Sequence, residues 1–350
     1  MISNITPEQR HLSFETVINP RIRLYPERAG AIFGFLIGNT LIDSSAMVKR
    51  NNDEPQRAAS NPGFGSDLFC VLSQALKGKR IENGYPISAV CKEYHSYIVG
   101  SSRYSSSGEE VCDSIMMRTV GLSANPMVCK MLASKVSYHD PESHSFTPLL
   151  RVLPIVLWYV SQCITFEEKV LAGFLLEDCS LTHASRLIQE ATVALGVSLG
   201  IILNAKSDCN KNKITLHNDI IRFMQENNVD PTILHYVYNS YEEIKMVHEY
   251  ESESYFRIPF ASAFAFLFEP KLDKMTFQDM VIRFRNPYMK SAVGISSLAM
   301  MFYAAYHECP CIPDKFMTQV LSQNSTEDAL FQGSNMCLIP VVLPLCYESE

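Results

Sequence analysis

Apolar residues recur along this chain at intervals of three and four, the period of a helix that buries one face. In residues 187–202, Leu187, Ala191, Ala194, Leu195, Ser198, Leu199 and Ile202 fall on one side. Gly196 and Gly200, one turn apart, open the same helix to close approach by a neighbour. Residues 29–41, 68–76, 148–159, 166–175, 216–226, 256–268, 277–284 and 292–306 carry the helical signal too. Pro126, Pro231, Pro270, Pro310 and Pro313 punctuate the connections. No period-two alternation holds over six residues, and 339–346 is too rich in proline for a central strand. No fixed-period repeat points to a solenoid. The pattern predicts an all-α fold. Residues 1–25 read as an N-terminal extension, 26–322 as one helical domain, and 323–350 as a C-terminal tail packed on or beside it. Residues 43–62 and 93–110, rich in Ser, Asn and Gly, read as long surface loops of the kind that border ligand sites.

Composition narrows the function classes. The 350 residues are 47% hydrophobic and 19% charged, which suits a packed globular protein and excludes a disordered chain. The net charge of −7 supplies no field for a phosphate backbone, so nucleic acid is not an expected partner. No apolar stretch is read as spanning a bilayer, the nearest being 193–203 and 292–306. The first 28 residues carry Glu8, Glu15 and Glu27 and no apolar core, so no signal peptide is read there. The eleven cysteines are odd in number, and Cys70, Cys129, Cys163 and Cys179 lie in apolar segments. That usage fits reduced thiols and a cytoplasmic location. Cys309 and Cys311 form a lone pair, short of the four ligands a structural zinc takes.

Common enzyme signatures are missing: no GxSxG, no Walker loop and no GxGxxG after a strand. Cys91 and His95 would share a helix face, with nothing to orient them as nucleophile and base. The alternating Glu249, Glu251 and Glu253 read as a solvated acidic run.

Five segments, in order, set up a more specific comparison. They are Arg28-Ala-Gly-Ala-Ile-Phe-Gly-Phe-Leu-Ile-Gly-Asn-Thr-Leu, Gly63-Phe-Gly-Ser-Asp-Leu-Phe-Cys, Leu149-Leu-Arg-Val-Leu-Pro, Ser180-Leu-Thr-His, and Asn286-Pro-Tyr-Met-Lys-Ser-Ala-Val-Gly-Ile with Ile312-Pro-Asp-Lys-Phe after it. In order and spacing the chain resembles the ADP-ribosylglycohydrolase family over residues 28–316. The resemblance implies a compact orthogonal helix bundle. It also implies a hydrolase of ADP-ribosyl glycosidic bonds with a magnesium pair beside the ADP-ribose. Magnesium is a hard cation that takes oxygen ligands in octahedral geometry, and carboxylates offset its charge.

This chain departs from the family at those ligands. The acidic triplet of the second segment becomes Gly63, Phe64 and Gly65, followed by Ser66. The acidic loop of the fifth becomes Tyr288, Lys290 and Ser291. Asn39 stands where the first segment has an Asp, and Ala46 near a further acidic position. No magnesium pair is expected from such a set. A lysine about 4 Å from such an ion would repel it by several kcal/mol at an intermediate dielectric. Asp67, about 200° round a helix from Gly65, reads as a first-turn residue favouring the helix dipole, with Ser66 as cap. Phe64, Tyr288 and Met289 add bulk where the family has a cavity.

Two readings of the remaining polar residues stay open. Thr182 and His183 either support the pocket wall, or Thr182 caps the helix and His183 is a satisfied surface or boundary residue. Arg151 among apolar neighbours either meets a phosphate or forms an internal salt bridge. Lys290 would hold an anion where the family holds metal, or points to water. The expectation is a pseudoenzyme with no catalytic or metal residues, whose vestigial pocket comprises Gly63, Phe64, Gly65, Ser66, Thr182, His183, Tyr288, Lys290 and Ser291. Its expected partner is ADP-ribose or an ADP-ribosylated protein. An active hydrolase with a rebuilt site, and a purely structural or interaction protein, are the alternatives.

Overall fold

The computed structural model describes residues 25–48, 64–98, 144, 146–205, 212–245, 256–284 and 292–322. Within them the regular elements are helices: α1 (Pro26–Val48), α2 (Phe64–Leu76), α3 (Ile87–Ile98), α4 (Val152–Val160), α5 (Glu168–Ser180), α6 (Arg186–Ala205), α7 (Lys213–Glu226), α8 (Pro231–Tyr238), α9 (Ser240–Lys245), α10 (Arg257–Phe268), α11 (Pro270–Asp273), α12 (Phe277–Phe284), α13 (Ala292–His307) and α14 (Asp314–Ser322). Short 3-10 turns at Ile81–Asn83, Thr147–Arg151 and Cys309–Cys311 join them. The all-α expectation holds.

The core is built around α1 and α13. Gly30, Gly34 and Gly38 lie one turn apart on α1. A Cβ on any of them would run into the backbone carbonyl of Ala304, Met300 or Ser296 respectively. The order of those partners runs backward, so the helices are antiparallel and in backbone contact. Ser296 Oγ donates to the Gly38 carbonyl at 2.6 Å across this contact. On another side of α13, Phe302 packs against Phe264 of α10 at 5.4 Å between ring centroids. Ser262 Oγ of α10 donates to the Ile295 carbonyl at 2.9 Å.

A second close approach joins α5 to α6. A Cβ at Gly196 would strike the Leu175 side chain, and one at Gly200 would strike Leu171 and Phe166. The glycines thus admit a neighbouring helix as their spacing predicts. Helix α6 is long and apolar enough to cross a bilayer, but most of that window is buried within the bundle. Helix α4 is buried along its whole length. Its Trp158 packs on Phe174 of α5 at 5.3 Å and donates Nε1–H to the Lys79 carbonyl at 2.8 Å.

Several boundaries differ from the sequence reading. Helix α1 continues through residues 43–48, and α3 takes in residues 93–98, both within stretches read as loops, while 49–62 and 99–110 lie outside the described residues. The 148–159 segment opens as a 3-10 turn before α4, which accommodates Pro148 in its first turn. Pro231 and Pro270 begin helices rather than merely ending connections, because the first helical position needs no N–H donor. Ser66 is the third residue of α2 and therefore no cap.

The glycine stripe generates a paired test. Gly34→Val should lower unfolding free energy in urea by about 3 kcal/mol or more, since two backbones must separate. Gly173→Ala, whose Cβ meets nothing within 4 Å, should raise it by up to about 1 kcal/mol. Equal effects at the two positions would refute the backbone contact.

Candidate functional site

A connected group of buried polar residues lies where α5 ends. Asp178 and Arg151 are 1% and 3% exposed, and Arg151 Nε lies 2.8 Å from Asp178 Oδ2. This contact is an ion pair, since the approach is too oblique for a straight hydrogen bond. The other oxygen, Oδ1, accepts from the Tyr85 hydroxyl at 2.8 Å and the Tyr94 hydroxyl at 3.0 Å. Arg151 also places its guanidinium 5.3 Å from the Tyr94 ring centroid. A buried carboxylate with two hydroxyl donors and a paired cation around it is stabilised well enough to remain in an apolar core.

Arg151 makes a second set of contacts through Nη2. It donates to the Asp178 carbonyl at 3.1 Å and to Thr182 Oγ1 at 3.0 Å. The first of these fixes a cation at the carboxyl end of α5, where helix carbonyls lack partners and the dipole is negative. The chain then turns tightly. Thr182 N–H and His183 N–H both donate to the Cys179 carbonyl, at 3.1 and 3.0 Å. Gln189 Nε2 donates to the His183 carbonyl at 2.8 Å.

Thr182 Oγ1 lies 2.8 Å from His183 Nδ1. His183 is 5% exposed, and its Nε2 is buried with no hydrogen-bond partner. The ring is therefore tied at one nitrogen and free at the other. Burial, and after it the Arg151 charge, lowers the His183 pKa from 6.5 to about 3. Burial alone would lower the Arg151 pKa, but Asp178 more than reverses this and leaves it raised. Burial followed by the Asp178 charge holds both tyrosines well above 10. The cluster thus comprises one cation, one anion and an uncharged imidazole at neutral pH.

The structure decides between several earlier readings. Arg151 forms the internal salt bridge. Thr182 is no helix cap, because α6 begins at Arg186 and Ser185 takes the preceding position. His183 is neither satisfied nor at a boundary. Tyr85, Tyr94 and Asp178 were not singled out by sequence, since nothing local links positions 85, 94, 151 and 178. Phe64, Gly65 and Ser66 open α2, while Gly63, Tyr288, Lys290 and Ser291 lie outside the described residues, as do Glu249, Glu251 and Glu253.

The cysteine candidates lack nucleophile chemistry. Burial and then Asp178 raise the Cys91 thiol, where a nucleophile needs a lowered value. Cys309 Sγ lies 3.7 Å from Met317 Sδ, and burial pushes the Cys309 and Cys311 thiols up to about 12. Among the described residues, no three of His, Cys, Asp and Glu converge as a ligand set.

No family model matches the sequence, and no curated protein matches it. A solved structure described as an "ADP-ribosylglycohydrolase-related protein complex" does match in three dimensions. Its TM-score is 0.56 at 15% identity, covering 92% of this chain and 97% of that one. This chain has the ADP-ribosylglycohydrolase fold. In that fold the Arg151–Asp178 pair ties α4 and the turn before it to the end of α5.

His183 gives this site a pH signature. Unfolded, the imidazole takes its proton near 6.5; folded, only near 3. Between those values the unfolded state binds more protons, so stability is full above 6.5 and falls as pH drops toward 3. The loss should be about 2–3 kcal/mol between pH 6.5 and 4.5. Urea unfolding of wild type and His183→Gln across that range should show a shallower slope in the variant. Parallel slopes would contradict a buried, uncharged His183.

Proposed function

We propose that this chain is an ADP-ribosylglycohydrolase-like pseudoenzyme that binds ADP-ribose or an ADP-ribosylated protein and does not cleave it. One observation carries this reading: a connected polar framework ends on an unpartnered, buried His183 Nε2. That nitrogen belongs to the segment which, by resemblance, lies near the family's pocket. A ligand oxygen would satisfy it. An unmet buried polar group costs about 1–3 kcal/mol, and binding would recover that.

The family's magnesium pair does not suit the residues that this sequence aligns with its ligands. Gly63, Phe64, Gly65, Tyr288, Lys290 and Ser291 contain no carboxylate, and Asn39 supplies a carboxamide. Such donors offset no charge, and Lys290 adds one of the wrong sign. Without a metal pair, an attacking water lacks activation and the departing group lacks charge stabilisation, terms worth several kcal/mol. Binding without turnover follows. Lys290 then serves a ligand phosphate as a point charge.

Calorimetric titration with ADP-ribose tests this directly. Binding should be the same with Mg²⁺ as with EDTA, and ADP-ribose should not be released from arginine- or serine-modified protein. Lys290→Ala should weaken binding more at low than at moderate salt, because attraction between a single charge and a phosphate is screened as ionic strength rises. Metal-stimulated release abolished by EDTA would overturn the pseudoenzyme reading. No binding at millimolar ADP-ribose would leave a purely structural or interaction protein.

A further inference from the structure

The hydrogen-bond geometry around Thr182 fixes more than the position of His183. Thr182 Oγ1 has one proton and three neighbours: Arg151 Nη2 at 3.0 Å, His183 Nδ1 at 2.8 Å and the Cys179 carbonyl at 3.4 Å. Arg151 only donates, so it takes an acceptor position on the hydroxyl. The Cys179 carbonyl already accepts from the Thr182 and His183 amides, at 3.1 and 3.0 Å, and a carbonyl has two lone pairs. The hydroxyl proton therefore goes to the short contact with Nδ1. A charged donor on Oγ1 also polarises the O–H and makes it a better donor in turn.

We propose that Asp178, Arg151 and Thr182 form a positioning relay that locks His183 as the Nε2–H tautomer, so that the ring presents a fixed donor and never an acceptor. Each member has a defined part. Asp178, held by Tyr85 and Tyr94, orients the guanidinium; Arg151 orients Thr182; Thr182 occupies Nδ1. Burial, and after it the Arg151 charge, also disfavours protonation of the ring, so both nitrogens do not become donors. A ligand group that reaches Nε2 meets a donor, so an oxygen acceptor such as a phosphate or ribose oxygen suits that point and a donor or a cation does not. That selectivity rests on the binding reading above; the lock itself does not.

Two-bond nitrogen–proton correlation spectra of the imidazoles test the lock in the full-length, ligand-free protein. The signal lost in His183→Gln assigns the ring among nine histidines. Wild type should show the Nε2–H pattern unchanged from pH 5 to 8. Thr182→Val, close in shape but without the hydroxyl, should lose that pattern in favour of Nδ1–H or a mixture. Thr182→Ser should restore it, which a merely structural role for Thr182 would not require. Arg151→Lys should weaken the lock, because one ammonium does not reach Asp178 and Thr182 as a guanidinium fork does. An Nδ1–H pattern in the wild type, a measurement that needs no variant to fold, would overturn the proposal. So would an unchanged Nε2–H pattern in Thr182→Val. Millimolar ADP-ribose should shift the wild-type Nε2–H signal. An unmoved signal would overturn the donor assignment and the binding reading, while the tautomer in the free protein judges the lock separately.

Discussion

The backbone contact between α1 and α13 is the constraint on which the rest of the molecule depends. Glycines at 30, 34 and 38 bring two helices closer than side chains allow, and the carbonyls of residues 304, 300 and 296 fill the space. Interior packing is dense, so a wedge of even one methyl group there displaces a whole helix. The consequences reach the site through short steps. Gly294 on α13 leaves room for the Phe146 ring, which immediately precedes the turn carrying Arg151. Arg28, at the start of α1, donates Nη2–H to the Val160 carbonyl at the end of α4, 3.3 Å away. The α1–α13 pair thus supports both ends of the segment that delivers the guanidinium.

A buried ion pair is weak evidence for stability, because removing two charges from water costs about as much as their attraction returns. What the Arg151–Asp178 pair supplies here is specificity of arrangement. Its carboxylate, two phenols, a backbone carbonyl and a threonine hydroxyl leave the guanidinium one orientation. Leaving one partner alone would cost about 3–5 kcal/mol. The turn at 181–185 inherits this rigidity, although it lies outside any helix. This polar cluster therefore fixes a loop that packing alone would leave less defined.

Much of this fold was legible because periodic burial writes itself into sequence. Residues 277–284 are a helix as the pattern predicts, and 292–306 needs only His307 added. Helix α3 was legible only as the face that Cys91 and His95 would share, and its residues from Glu93 on were read as loop, although Glu93 and Tyr94 are buried. Helices α8 and α11 were hidden behind prolines that occupy first-turn positions instead of breaks. At the site, a partner for Arg151 was foreseeable on energetic grounds alone. Its identity was not, since Asp178 lies 27 residues away and two tyrosines join from a separate helix and turn. Side chains that meet only through tertiary packing leave no spacing to read.

On the pseudoenzyme reading proposed above, the metal positions and the Asp178 cluster differ for a physical reason. Carboxylates that hold a metal bury little apolar area, so on that reading a scaffold without the metal loses them at small cost to its stability. The relay around Asp178 is different, because Asp178 and Arg151 are buried, Thr182 is half-buried and each is tied to the others, so losing one orphans its neighbours. Persistence of the relay therefore needs no ligand to explain it; stability suffices. The same argument fails for His183 Nε2. A fold selected for stability alone has no use for a buried nitrogen without a partner, and an apolar ring of similar size would avoid the penalty. Of all the polar groups in this cluster, the unpartnered one carries the argument for a ligand.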